Sequence, residues 1–220
     1  MLTYFLGVPK RHWAVLLCVL GTLAMCEETT AQSWKLNKSS NGVDVFTRSK
    51  EGWGIKEFKA VVKIRASIDQ VLATMKDAEN RSKWMHNTED TKDLKVASPN
   101  KIYTYSRLDA PWPVSDRDNI TVFTIKRPAA NLAVIEMTNE ADFIPEKSGI
   151  VRVKRMEGEW RFKDLGNGYV EVEQQAVGDP GGSLPDWLAN SAIVDSPYNT
   201  MLNLKYFVES KNVHLSNWKK

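Results

Sequence analysis

Gly178-Asp179-Pro180-Gly181-Gly182-Ser183-Leu184-Pro185-Asp186-Trp187-Leu188 separates two kinds of sequence. Upstream of it, apolar residues recur mostly every second position, the period of a half-buried strand. Downstream, Trp187, Leu188, Val194, Tyr198, Met201 and Leu202 mark the apolar side of a helix expected to reach about Val213. Ser183, followed three residues later by Asp186, reads as a helix N-cap. Pro185 is tolerated there, because first-turn N–H groups have no intrahelical partner. Pro197 should kink the helix or split it in two. The paired glycines serve a bend from strand to helix. A phosphate loop would need G-x-G-x-x-G or Gly-Lys-Ser/Thr after a βαβ pattern, and neither is present.

Working back from this bend, candidate strands lie at 168–177, 149–163, 131–139, 117–126, 101–108 and 89–97. Gly166-Asn167-Gly168 joins the last two in chain order as a hairpin, and Arg127-Pro128 and Ser98-Pro99-Asn100 mark further turns. Nearer the start, Gly42 to Arg48 is a short strand. In Glu57 to Ile64, Phe58, Ala60, Val62 and Ile64 share one face and Lys59, Val61 and Lys63 the other. Ser67 then opens a helix with Ile68, Val71, Leu72 and Met75 at helical spacing, and 80–84 reads as a further helical turn. Strands, a helical insertion, about six antiparallel strands and a long final helix make an α+β fold, with the helix laid on a curved antiparallel sheet. A ligand cavity is expected where helix and sheet diverge.

The 220 residues suit one domain, and 42% hydrophobic with 26% charged residues is a globular composition. A net charge of +3 with acids and bases interspersed speaks against nucleic acid as a partner. The front differs. Lys10, Arg11 and His12 precede an apolar run from Trp13 to Met25, too short for a bilayer span of ~20 residues but suited to an export signal. Thr29-Thr30-Ala31 offers small residues before Gln32. Residues 1–31 are therefore expected to be a signal peptide and 32–220 the folded domain, in a periplasmic or secreted protein. A lipoprotein anchored at Cys26 is the rival reading, although Met25 stands where such boxes want a small residue; an uncleaved anchor is another. Cys18 and Cys26 are the only cysteines, so the domain has no thiol or disulfide chemistry. His12, His86 and His214 lack metal-ligand spacing, and no G-x-S-x-G elbow occurs. No catalytic, metal or cofactor residue is expected, and the protein is expected to act as a monomer.

Three segments resemble the START family, the lipid-transfer domains related to the steroidogenic regulatory protein, whose fold is called helix-grip. They are Pro111-Trp112-Pro113-Val114-Ser115-Asp116-Arg117-Asp118, then Pro145 to Trp160 with Gly149-Ile150-Val151-Arg152-Val153 and Gly158-Glu159-Trp160, then Asp179 to Asn190. Their order and spacing fit across roughly residues 34–215, though little room is left for the family's N-terminal helix. The resemblance implies a cavity for a lipid, sterol or other apolar molecule, without metal or covalent chemistry. By motif match it implies that Arg117 points into the tunnel and meets a polar ligand group. A buried guanidinium needs an acid or a ligand oxygen in any case, and Asp116, Asp118 or a distant carboxylate is the alternative partner.

Tyr103 and Tyr105 share one strand face and Ile102, Thr104 and Ser106 the other; the tyrosines enter the candidate site with either face open as the inner one. Phe123, Phe143 and Trp160 are expected to be buried, chiefly as core, with Phe123 also a candidate wall residue. Trp187, Leu188, Tyr198, Met201 and Leu202 should face the sheet and in part touch ligand. Trp112 and Val114 form a candidate loop for transient membrane-surface contact, or else pack beneath their loop. Binding of one apolar molecule, extending to its transfer, is the expected function. A cyclase or aromatase-like enzyme on the same fold, using Asp109, Asp116, Asp118, Tyr103 or Tyr105, is the alternative, and an interaction domain with a filled interior the third reading.

Overall fold

A computed structural model describes residues 33–217 apart from Ser183 and Pro185, all within the unit Gln32–Lys220; the side chains of residues 186–187, 190–192 and 212–217 lie outside the description. The elements are β1 (Lys35–Ser40), β2 (Val43–Ser49), β3 (Lys56–Ile64), α1 (Ile68–Lys76), a 3₁₀ segment (Ala78–Lys83), β4 (Thr88–Ser98), β5 (Lys101–Leu108), β6 (Arg117–Ala129), β7 (Leu132–Asn139), β8 (Val151–Arg152), β9 (Arg155–Asp164), β10 (Val170–Asp179) and α2 (Asp186–Asn217). One sheet runs in the order β1-β2-β3-β10-β9-β7-β6-β5-β4, antiparallel throughout this path, with β8 parallel to β6. This is the α+β sheet-and-helix arrangement expected. β1, too polar to alternate visibly, is an additional edge strand.

Local chemistry explains the boundaries. Ser67 caps α1 in a reciprocal box: its hydroxyl accepts from the Gln70 N–H and the Gln70 side chain accepts from the Ser67 N–H. Gly166 and Gly168 turn the β9–β10 hairpin at φ of 78° and 81°, a region open chiefly to glycine. The run 149–163 does not form one strand as expected. It breaks after β8, which pairs with β6 whereas β9 pairs with β7, and Arg152 there binds Asp118, with Nε 2.6 Å from Oδ1 and both side chains essentially inaccessible. The same guanidinium binds the carbonyls of Ala141, Ile144 and Pro145, which fastens the 140–150 loop over the outer face of β5 and β6.

Nor does Pro197 split α2, which continues through it. The proline removes one helical hydrogen bond. Tyr198, Met201, Leu204 and Val208, all buried, outweigh that loss by packing in one core with Val43, Val45, Val62, Ile64, Phe162 and Val172. Each such side chain contributes about 1.5–3 kcal/mol on leaving water. Polar ties fix the helix along its length. Lys38 Nζ lies 2.8 Å from Asp195, the Asn41 amide donates to the Tyr198 hydroxyl at 2.8 Å, and the Arg65 N–H donates to Glu209 at 3.0 Å. No helix among the described residues is long and apolar enough to cross a membrane.

The Arg152–Asp118 pair yields the first prediction. Asp118→Asn or Arg152→Met alone should cost about 3–5 kcal/mol in denaturant unfolding, by stranding a buried charge, whereas the double replacement by apolar residues should cost clearly less. Equal losses for single and double variants would count against the pair as the pin of this loop.

Candidate functional site

The inward-facing residues of the sheet form rows across the strands. One row runs Ala60–Gln174–Trp160–Ile135–Ile125 and the next Phe58–Ala176–Gly158–Met137–Phe123–Ile102. In the second row the middle members are alanine and glycine. A Cβ on Gly158 would lie 2.3 Å from the Gln175 carbonyl oxygen, so β9 and β10 approach too closely there for any larger side chain. The floor of the sheet is therefore low between Phe58 and Phe123. α2 does not fill the gap, because it packs against β1, β2 and β3 at the other side of the sheet.

The result is a cavity of about 150 Å³ roofed by α1 and the 3₁₀ segment through Met75, Arg81, Trp84 and Met85. Its walls are Ile102, Ser106 and Leu108 of β5, Asn119, Thr121, Phe123 and Ile125 of β6, Ile135 and Met137 of β7, Met156 and Trp160 of β9, Gln174 and Ala176 of β10, and Phe58 of β3, with Lys76 at the edge of the roof. Four methionines, Met75, Met85, Met137 and Met156, make much of this surface deformable. Trp84 stands edge-on to Trp160 with centroids 6.3 Å apart.

Three buried polar atoms in the wall have no hydrogen-bond partner: Trp84 Nε1, Asn119 Oδ1 and Gln174 Oε1. Each such atom costs on the order of 1–3 kcal/mol unless something entering the cavity meets it. Arg81 is different. Its Nη1 donates to Thr91 Oγ1 at 3.0 Å and to Asp93 Oδ1 at 3.3 Å, and its Nη2 to the Met75 carbonyl at 3.1 Å. Burial lowers the Arg81 pKa below the usual arginine value and Asp93 opposes the shift. The sequence placed Arg81 in a polar helical turn and gave no sign of its burial, because Asp93 meets it only across the fold. No group of His, Cys, Asp or Glu suited to holding a metal ion occurs among the described residues.

A second apolar pocket of about 100 Å³ lies under the first turns of α2, lined by Ile55, Val177, Pro180, Ala189 and Ile193. It shares Phe58 and Ala176 with the main cavity, so these two side chains form the partition between them.

Of the residues expected at the site, Phe123 lines the cavity, and so does Trp160, which had been expected chiefly as core. Tyr103 and Tyr105 lie on the opposite face of β5. Tyr103 stacks on Phe143 at 4.6 Å, and the Tyr105 hydroxyl accepts from Lys147 at 3.0 Å. Phe143 is thereby half exposed rather than buried. Tyr198 and Met201 are buried in the α2 core, Leu202 packs beside it, and Leu188 is half-buried; none of the four borders the cavity. The Trp187 side chain lies outside the described residues.

Arg117 begins β6 on the cavity-facing side, paired with Leu108, yet it lines a separate pocket of about 500 Å³ with Pro113, Val114, Ser115, Val151, Gly182 and Leu184. Neither flanking acid holds it. Asp116 accepts from Arg107 Nε at 2.9 Å and from the Ala110 N–H at 3.0 Å, and Asp118 belongs to Arg152. Burial lowers the Arg117 pKa, with only the field of Asp116 opposing it. Trp112 is 92% exposed at the tip of the neighbouring loop, not packed beneath it, while Val114 is half-buried.

A curved antiparallel sheet gripping one long helix, with an apolar cavity under α1 and the 3₁₀ segment rather than between sheet and α2 as expected, defines a helix-grip protein. The chain belongs to the START domain family, whose model matches residues 23–200. It is 36% identical over 181 residues to an uncharacterized protein of Pseudomonas aeruginosa, covering 82% of this chain and 89% of that one. The crystal structure of a STAR-related lipid transfer protein fragment from Xanthomonas axonopodis superposes with a TM-score of 0.73 at 32% identity, covering 80% of this chain and 98% of the other. The rat phosphatidylcholine transfer protein is 26% identical over 171 residues, covering 74% of this chain and 78% of that protein.

His86 joins the cavity roof to α2. Its N–H donates to Thr200 Oγ1 at 3.2 Å, and its Nε2 lies 3.4 Å from the Asn199 amide nitrogen. Burial lowers its pKa from the ordinary 6.5, with Asp195 opposing. A histidine depressed in the folded state contributes stability that is complete above the unfolded value and is lost as pH falls below it. The thermal midpoint should therefore drop between about pH 7.5 and about pH 5.5, and His86→Gln should reduce that drop. Identical pH profiles for the two proteins would remove His86 from the account.

Proposed function

We propose that this domain is a carrier that encloses one lipid-like molecule, apolar along most of its length and bearing a small hydrogen-bonding group. The observation that carries this reading is the cavity wall, which is largely apolar, rich in methionine and set with three unpartnered polar atoms. An apolar ligand would gain ~25 cal/mol per Å² of surface removed from water. Its polar group would meet Asn119, Gln174 or the Trp84 N–H. A volume of about 150 Å³ is below the 300–1,000 Å³ usual for ligand pockets, so on this reading the cavity widens to load its cargo. Opening proceeds by rotation of Phe58 and displacement of the first turns of α2, which joins the two apolar pockets. The named cargo of one relative is a phospholipid, which supports lipid as the ligand class.

The carrier reading is favoured over a cyclase. Acid–base catalysis needs convergent titratable groups, and among the described residues the wall holds only Lys76 and Arg81, the latter engaged by Asp93. Asp109, Asp116, Asp118, Tyr103 and Tyr105 do not border the cavity. We also propose that residues 1–31 direct export, which an intact mass beginning at Gln32 in the periplasm or medium would test.

Native mass spectrometry with lipid extraction on the purified protein should find a co-purifying apolar molecule, bound once per chain. Thr121→Phe, which pushes a ring into the cavity, should abolish that occupancy while leaving the folded circular dichroism spectrum. An empty wild-type protein that also takes up no lipid or sterol from a panel would overturn the proposal.

A further inference from the structure

Arg117 is 6% exposed, and its Nε is buried without a hydrogen-bond partner. Among the described residues its two other nitrogens meet only carbonyls, those of Ser115 and, at 3.5 Å, Gly181. Carbonyls satisfy N–H groups but leave the positive charge uncompensated. Both neighbouring carboxylates are committed to other arginines, and no carboxylate among the described residues lies within ion-pair distance. Burying a charge without a counter-ion is costly, so the counter-ion is expected to come from outside. The pocket that Arg117 lines offers a place for it: apolar Pro113, Val114 and Val151 form its sides, and it shares no lining residue with the ligand cavity. Immediately beside it stands Trp112, with almost all of its surface in solvent. An indole prefers the headgroup level of a bilayer, and a guanidinium binds phosphate with charge-assisted, paired hydrogen bonds.

We propose that the Arg117 pocket is a docking site for the phosphate of a membrane phospholipid, occupied while Trp112 rests among the headgroups, and distinct from the site that holds the cargo. The charge selects an anion, and the adjoining indole selects a bilayer over a soluble phosphate. Docking also touches the opening path. The Gly181 carbonyl now held by Arg117 belongs to the turn just before α2, and a phosphate that takes over the guanidinium releases that turn. The docking site rests on no particular cargo.

The test is co-sedimentation of the full protein with phosphatidylcholine vesicles containing phosphatidylglycerol, and with phosphate-free vesicles of digalactosyl diacylglycerol. Wild type should bind the first and not the second. Arg117→Gln and Trp112→Ala should each weaken binding about tenfold, with Arg117→Lys intermediate. Val151→Glu, which supplies a carboxylate inside the pocket while keeping Arg117, should match Arg117→Gln and carries the test if that variant misfolds. Val96→Glu, which adds the same charge on an exposed strand position, should bind like wild type. Cargo occupancy, read separately by native mass spectrometry, should be unchanged in Trp112→Ala. Failure of the carrier reading would appear there as an empty protein that still binds vesicles. Undiminished binding by folded Arg117→Gln or Val151→Glu, or equal binding to phosphate-free vesicles, would overturn the docking site. Displacement by millimolar inorganic phosphate would reassign it to a soluble anion and overturn it equally.

Discussion

A helix about 10 Å across covers only some of the strands of a wide sheet, whose neighbours stand about 4.8 Å apart. The sheet here continues through nine strands from β1 to β4. α2 lies over the β1–β3 side, where Val43, Val45, Val62 and Ile64 meet Met201 and Leu204 in a closed core. The remaining inner face must be roofed by something shorter, and α1 with the 3₁₀ segment does so incompletely. Gly158 and Ala176 lower the floor beneath that roof. The cavity is thus a consequence of covering a wide curved surface with two unequal elements.

Three buried arginines meet three different fates, and the differences organise the molecule. Arg152 has a carboxylate of its own and three further carbonyl acceptors, so it serves architecture by holding the 140–150 loop against the sheet. Arg81 shares Asp93 with Thr104 and borders the cavity, a charged group largely neutralised where an apolar ligand would lie. Arg117 has no acid within ion-pair distance among the described residues and opens onto a pocket next to an exposed indole. Burial alone assigns none of these roles; the inventory of partners does.

The wall of the cavity combines softness and specificity. Thioether side chains adapt to a ligand at little cost in torsional strain. The amides of Asn119 and Gln174 and the Trp84 N–H are fixed on strands or locked by aromatic packing, so they ask for a particular chemistry at particular places. A cavity this small, bounded on one side by Phe58, suits the empty state of the proposed carrier. It keeps apolar surface out of water without collapsing into a permanent core.

Much of the architecture was legible in the chain because it depends on period. Alternation over Glu57–Ile64, most of the strands after Glu89, the Ser67 cap and the change from strand to helix between Asp179 and Asp186 all concern neighbours in sequence, and the structure follows them apart from the break within 149–163; the Ser183 cap lies outside the described residues. The site was legible in outline only. Phe123 borders the cavity, whereas the tyrosines of β5 and the buried residues Tyr198 and Met201 of α2 do not. Period 2 divides β5 into Tyr103 with Tyr105 and Ile102 with Ser106, but which set faces inward depends on what covers each side, and here the 140–150 loop takes the tyrosines. Helical period likewise marks the buried side of α2 without saying whether it meets core or cavity. The partners of Arg81, Arg117 and Arg152 come from distant strands and loops, where no local spacing can announce them. The sequence by itself determined the elements, their order and the family; the tertiary structure alone decided which face is inside and which charge is left without a partner, because both depend on contacts between residues far apart in the chain.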